Sequence, residues 1–124
     1  MFDHIFFYLG LTFLIIHEMD AVYCKEWRII PGLSSLKEKT GYIVFLSIHV
    51  PVLTGIFILL NMPGYMQTFI LIFDILLILH LILHILFMKH EKNEFKKPVS
   101  WTIISGGAIF GLADIILNYL IPLI

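Results

Sequence analysis

The sequence predicts an all-α integral membrane protein, a single domain of four transmembrane helices bundled together, with both termini on the outer side of the membrane. Hydrophobic residues make up 60% of the 124 residues and charged residues only 14%, whereas about 25% of a soluble domain is charged. The apolar residues fall into four blocks, each near the ~20 residues that cross a ~30 Å hydrocarbon core. A net charge of −1 provides no basic surface for nucleic acid.

The predicted helices span residues of about 2–23, 41–60, 65–88 and 99–121. The first block has no Lys or Arg at its start and exceeds the length of a signal-peptide core, so we expect it to remain as a helix. The second contains Pro51, which removes one backbone hydrogen bond and favours a kink beside His49. Pro63 and Gly64 predict a short hairpin before the third helix. Trp101 is typical of an interfacial anchor for the fourth.

All eight basic residues lie in two predicted loops, 24–40 and 89–98. Because cytoplasmic loops carry the excess of Lys and Arg in membrane proteins, both loops are expected in the cytoplasm and both termini outside. The first loop mixes cations with apolar residues and should lie in the headgroup interface, with Glu26 and Arg28 on its solvated side. The composition of the second loop indicates a solvated segment.

A layer of histidines lies near the cytoplasmic ends of the predicted helices. At ~1.5 Å per helical residue, four histidines from three helices fall roughly 6–12 Å below the cytoplasmic surface. They are His17, His49, His80 and His84. Polar side chains at such a depth are costly and mark functional sites by default. We therefore expect them to face a common interior site.

The composition of this layer predicts a metal site. His80 and His84, in HLILH, are spaced so that one ion can bind both imidazoles from a single helical turn. With His17, Asp20 and His49, the predicted ligand set combines imidazoles with a carboxylate. Such a set suits zinc or iron, and it suits magnesium or calcium poorly because those ions prefer oxygen ligands.

Two aspartates, Asp74 and Asp114, are predicted near the mid-plane of the membrane. Each would cost at least ~2.5–3.5 kcal/mol if charged and facing lipid. We expect both to face the bundle interior and to be protonated or to share a proton. Thr54 and Asn118 are the other intramembrane polar residues predicted to support the bundle.

The motifs of the first and third helices resemble a known family. HEMD, residues 17–20, and the later HLILH are similar to small uncharacterised bacterial membrane proteins of the HXXEE type, which carry an H-x-x-E-E motif and a later H-x-x-x-H. His17 matches the motif histidine and Asp20 the first acidic position, but Ala21 occupies the second. Glu18 or Glu26 could replace that carboxylate. The resemblance implies a metal-binding or enzymatic role in a bacterial inner membrane.

These observations favour a metal-dependent hydrolase or oxidase that acts on a lipid-like substrate entering from the cytoplasmic leaflet. Glu18 lies about 100° around the helix from His17 and is the candidate general base. The lone Cys24 excludes an internal disulfide, and its own role is open.

Three alternatives remain open at this point. The aspartates and histidines could relay protons in a transporter, which would need a homodimer formed through the small-residue face of Gly107 and Gly111. His49 with His80 or His84 could ligate haem. The polar residues could also do no more than hydrogen-bond the helices together.

Overall fold

The computed structural model describes residues 3–124, so the predicted helix start at residue 2 lies outside the described residues. Four helices, α1 to α4, are long and apolar enough to cross a membrane, which indicates a multi-pass membrane protein in contact with a lipid bilayer. They span Ile5–Tyr23, Glu38–Leu60, Pro63–Leu86 and Pro98–Ile115. A π-helical turn, Ile116–Leu120, and a 3-10 turn, Ile121–Leu123, extend α4.

The helix ends follow from local sequence. Pro63 and Pro98 occupy the first turns of α3 and α4, where a missing backbone N–H costs nothing. Pro63 therefore begins a helix, and the hairpin before it consists of Asn61 and Met62. Helix α2 starts at Glu38, because polar residues can extend a helix beyond the hydrocarbon region and an acidic first turn favours it.

Helix α4 lies against both α1 and α3, whereas α2 contacts α3 and the turns that follow α1. Small residues permit the close approach of α4. A Cβ atom on Gly111 would lie 3.0 Å from the backbone oxygen of Asp74, and one on Gly10 would lie 3.5 Å from the backbone oxygen of Gly107. Gly107 and Gly111 are thus buried inside one chain, and the predicted homodimer through this face is wrong.

Both connections at the basic end of the bundle, residues 24–37 and 87–97, fold back onto the helices. Arg28 links them, since its guanidinium donates to Glu38 at 2.8 and 2.9 Å and to Glu94 at 3.1 Å. Asn93 and Phe95 are buried in the second connection. The charged residues of this connection are exposed, as expected for a solvated segment, but Phe95 turns inward and packs on His17 and His84.

Candidate metal centre

Three of the predicted histidines meet in the bundle interior. The ring centroids of His17 and His80 lie 4.6 Å apart, those of His17 and His84 4.9 Å, and those of His80 and His84 4.7 Å. His17 comes from α1, and the other two occupy successive turns of α3. Because residues four apart lie on one face of a helix, both α3 imidazoles reach the same neighbour.

Glu26 completes this group. Its Oε1 atom lies 3.3 Å from His84 Nε2, and its Oε2 atom lies 3.7 Å from His17 Nε2. One ligand atom from each of His17, Glu26, His80 and His84 can be chosen so that all lie within 4.8 Å of one another. We name these four residues the His–Glu group. It could hold a metal ion.

The chain reaches this position through a tight turn after α1. Lys25 adopts a left-handed backbone conformation with φ of 52°, and the 3-10 turn Glu26–Arg28 follows directly. The turn directs the Glu26 side chain back under the end of α1, where it is 9% exposed. Burial by itself raises the pKa of Glu26, but the adjoining imidazoles of His17 and His84 outweigh burial and lower it below its usual range. Glu26 is therefore a carboxylate at neutral pH.

The prediction that Glu26 lies on the solvated side of the first loop is wrong. The turn at Lys25 and the contacts of Trp27 bury the segment. One feature of the sequence does point to Glu26. Ala21 lacks the second carboxylate of the H-x-x-E-E pattern, and Glu26 was one of the two residues proposed to replace it.

The donor set fits a transition metal. Both ring nitrogens of His17 and the Nε2 atom of His80 are buried without a hydrogen-bond partner among residues 3–124, and such orphaned atoms are costly unless something binds them. Tetrahedral ligands at ~2.1 Å from zinc lie roughly 3.4 Å apart, close to the 3.3 Å between Glu26 and His84. Imidazoles with one carboxylate suit zinc or non-haem iron.

Two predicted ligands, Asp20 and His49, lie outside the His–Glu group. Asp20 lies three residues beyond His17, about 60° around the helix. Its charge acts on Cys24 and Lys97 instead. His49 has both ring nitrogens engaged, at 2.6 Å from the Phe45 oxygen and 2.7 Å from Glu18. It is therefore not free to ligate haem.

Glu18 and His49 form a proton-sharing pair beside the His–Glu group. The backbone oxygen of Phe45 can only accept, so His49 Nδ1 must donate to it. The 2.7 Å contact between His49 Nε2 and Glu18 Oε2 then holds one further proton, located on either partner. The offset of Glu18 from His17 places it toward α2, where it can exchange a proton without being a ligand.

A cavity of about 520 Å³ adjoins both sets of residues. Glu18, Glu26, His49, His80 and His84 lie in its wall, and the other lining residues are apolar. Phe95 closes the site on the side of the second connection. Its ring stacks on His17 at a centroid distance of 5.5 Å and meets His84 edge-on at 4.7 Å.

A family model describes nearly the whole chain. Residues 3–120 match the family of unknown function DUF6713. The chain belongs to the DUF6713 family. The sequence also predicts an uncharacterised family, and the match agrees with that. The H-x-x-E-E signature itself stays a prediction.

This DUF6713 chain is also similar to the lipoprotein signal peptidase of Buchnera aphidicola subsp. Schizaphis graminum. The two are 34% identical over 113 residues, which cover 90% of this chain and 69% of that protein. No solved structure matches the chain.

A second polar cluster of the DUF6713 chain lies at the opposite end of the bundle, and Asp114 is its centre. Asp114 accepts hydrogen bonds from the Phe7 backbone N–H at 3.1 Å, from the Asn118 amide at 3.0 Å and from His4 Nδ1 at 2.9 Å. His4 Nε2 also lies 3.0 Å from Gln67 Oε1. The sequence interpretation placed neither His4 nor Gln67 in a site, because their partners come from distant parts of the chain.

The fully buried Asp74 lies beside Asp114, and neither of its carboxyl oxygens has a hydrogen-bond partner among the described residues. Two adjacent carboxyl groups in apolar surroundings cannot both be charged, so we expect the pair to keep a proton. Thr54 is exposed, and its predicted role in supporting the bundle interior is wrong. Leu77, packed against the three glycines Gly10, Gly107 and Gly111, lies between this cluster and the histidines.

Proposed function

We propose that this protein is a metal-dependent hydrolase that binds zinc or iron and acts on a lipid-like substrate from the cytoplasmic leaflet of a bacterial inner membrane. One observation carries the proposal. Three imidazoles and a carboxylate, donated by three separate segments of the chain, present ligand atoms within 4.8 Å of one another in a buried position. Hydrogen bonding between helices does not require such a convergence.

The His–Glu group would hold the metal through His17, His80, His84 and Glu26. When bound, the metal supplies Lewis acidity, which polarises a carbonyl group and activates water. An iron ion held by the same group would support oxidation instead, since imidazoles with one carboxylate are the ligands of non-haem iron oxygenases.

The Glu18–His49 pair supplies the proton acceptor. Glu18 lines the same cavity as Glu26 and His80, so its carboxylate could accept a proton from a water molecule bound there. His49 shares a proton with Glu18 and is anchored by its bond to Phe45. A positioned general base of this kind contributes about 10²- to 10⁴-fold to a hydrolytic rate.

The charge distribution supports the proposed orientation. Both basic connections lie at the end of the bundle that contains the His–Glu group. By the positive-inside rule this end faces the cytoplasm, both termini face outward, and the site lies at the depth of the inner leaflet.

Metal analysis of protein purified without chelator tests the proposal. We expect about one equivalent of zinc or iron in the wild type and a loss of most of it in the His80→Ala, His84→Ala double variant. The matched control is His90→Ala, because His90 lies in the second connection outside the His–Glu group. Equal metal content in all three proteins would refute a metal site.

The similarity to a lipoprotein signal peptidase favours a second candidate, in which the bond cleaved is a peptide bond. The Asp74–Asp114 pair adds a second set of groups for acid–base chemistry in this case, since paired carboxyls can divide the roles of acid and base. Incubation of the purified protein with a lipoprotein precursor tests it. Peptide release that is lost in Asp114→Asn but kept in the His80→Ala, His84→Ala variant would support this candidate over the first.

A further inference from the structure

The cavity beside the His–Glu group has two kinds of wall. Its polar lining consists of three candidate ligands, Glu26, His80 and His84, together with the Glu18–His49 pair, and the other lining residues are apolar. The apolar wall comes from three segments: Ile29, Ile30, Pro31 and Leu33 of the first connection, Phe45 and Ile48 of α2, and Leu83 and Phe87 at the end of α3. Its volume of about 520 Å³ lies within the ~300–1,000 Å³ of small-molecule sites.

The rim of the cavity faces apolar surroundings. Ile48 and Leu83 line it and are 46% and 52% exposed, and both lie on helices long and apolar enough to span a membrane. Of the four helices, α2 has the smallest share of buried residues. It therefore packs least against the rest of the bundle and is the outermost wall of the cavity. By contrast, Phe95 and Asn93 are buried above the histidines. The exposed rim residues therefore lie on the side of the cavity between α2 and α3, away from the second connection.

We infer that this cavity holds a fatty acyl chain of an ester-linked membrane lipid, with the ester carbonyl at the His–Glu group. This inference rests on the proposed function and names its substrate class. A lipid ester matches both parts of the cavity. Its apolar acyl chain fits the apolar wall, and its polar ester group fits the polar lining. It also reaches the rim without leaving the membrane.

The reaction of such a substrate is balanced with water alone. The water oxygen forms a bond to the acyl carbon, and Glu18 accepts the proton that the water loses. The bond between the acyl carbon and the alcohol oxygen breaks, and the alcohol leaves with a proton returned from the Glu18–His49 pair. The products are a fatty acid and a lipid with one free hydroxyl group, and no oxidant or reductant is consumed.

A photoreactive phospholipid tests the inference. The wild-type protein is reconstituted into phosphatidylethanolamine–phosphatidylglycerol vesicles containing a phospholipid with a diazirine in one acyl chain, and the labelled residues are mapped by mass spectrometry. We expect label to concentrate on Ile29–Leu33 and Phe87 above the level found at a lipid-facing residue such as Ile72, which is 52% exposed.

Leu83→Trp should fill the cavity and reduce this label to the level of Ile72. Ile82→Trp is the matched control, because Ile82 is the adjacent, exposed residue of the same helix and does not line the cavity. Ile48→Trp repeats the test from the opposite wall. Uniform labelling of all exposed apolar residues, or unchanged cavity labelling in both filled variants, would overturn the inference.

Metal content is measured in the same samples and separates the two proposals. Cavity labelling without bound metal would refute the metal-dependent function and leave an acyl-chain site. Bound metal without enriched labelling would keep the metal centre and refute the lipid ester as its substrate.

Discussion

Glu26 Oε1 lies 3.3 Å from His84 Nε2, so that a residue of the first connection contacts the C-terminal turn of α3. This contact ties the first connection to the bundle interior and supplies the carboxylate that complements three imidazoles. Arg28, two residues further, bonds both Glu38 and Glu94 and holds the same segment from outside. The geometry of the His–Glu group therefore depends on the fold of the first connection as much as on the helices.

Glu26→Gln should weaken metal binding while the bundle stays folded. The amide keeps the size of the side chain but removes the negative charge that faces His17 and His84. We expect metal affinity to fall at least about tenfold, because even the loss of an outer partner of a ligand costs 10- to 100-fold. Competition titration with a metal indicator measures it. Glu91→Gln, on the exposed second connection, is the control, and equal affinities in both variants would exclude Glu26 as a ligand.

The backbone oxygen of Phe45 fixes one proton of His49 on Nδ1. Because Nδ1 must donate to the Phe45 backbone oxygen, ¹⁵N NMR should show a protonated Nδ1 throughout pH 5 to 8. His90 provides the opposite case, since its Nδ1 accepts the backbone N–H of Lys92 at 3.1 Å and should be unprotonated when the ring is neutral. An unprotonated Nδ1 on His49 at pH 8 would contradict the proposed Glu18–His49 geometry.

Asp114→Ala should destabilise the bundle more than Asp74→Asn. The first change leaves three donors without their acceptor, and two of them, His4 and Phe7, lie at the start of α1. At ~0.6 kcal/mol per hydrogen bond between membrane helices, we expect a loss of about 1–2 kcal/mol. Asp74 accepts no hydrogen bond among the described residues, and its amide analogue preserves shape without charge. Unfolding in sodium dodecyl sulfate measures both. Greater damage from Asp74→Asn would show that Asp74 is the charged member of the pair.

Gly111→Ala should lower the free energy of unfolding by about 1–3 kcal/mol. A Cβ atom there would lie 3.0 Å from the backbone oxygen and 3.4 Å from the Cα atom of Asp74, and neither can move without shifting α3. Gly55→Ala on α2 is the matched control, because a Cβ there meets nothing within 4 Å. It should be neutral or stabilising by up to ~1 kcal/mol. Equal effects in the two variants would refute close packing of α3 on α4.

Cys24 should react slowly with alkylating reagents. Burial, aided by the charge of Asp20, raises the pKa of its thiol to about 11, against an ordinary value of ~8.5. Since the thiolate is the nucleophile, a pKa raised to about 11 leaves roughly two hundredfold less thiolate at pH 8. The rate should climb as the pH approaches 11.

Maleimide labelling of the folded protein measures this reactivity. The control is a Cys24→Ala, Ser34→Cys variant, which moves the thiol to an exposed residue of the first connection. Both proteins should label rapidly once denatured. Equally rapid labelling of the two folded proteins would show that Cys24 is accessible.

The four helices and three of the four members of the His–Glu group could be predicted from the sequence because these signals are local. Hydropathy identifies a spanning segment by itself, and a four-residue spacing places His80 and His84 on one face. His17 lies at a similar distance from the end of its own helix, so its proximity to His80 and His84 could be predicted without knowing how the helices pack.

Other features depend on contacts between distant segments. Glu26 and Phe95 lie in polar connections, and only the folding of those connections over the bundle buries them. The Gly107–Gly111 face has the composition of a dimer interface, and a second helix of the same chain occupies it. Likewise, His49 lies at the predicted depth, but the carboxylate of Glu18 engages the nitrogen that a metal would need.

The contact of Leu77 with three glycines has a consequence for communication across the bilayer. Leu77 fills the space between these closely spaced backbones with a side chain that neither donates nor accepts hydrogen bonds, so it cannot itself pass a proton. A change of pH on one side of the bundle should therefore alter the protonation of the nearer polar cluster only, either the His–Glu group or the cluster around Asp114.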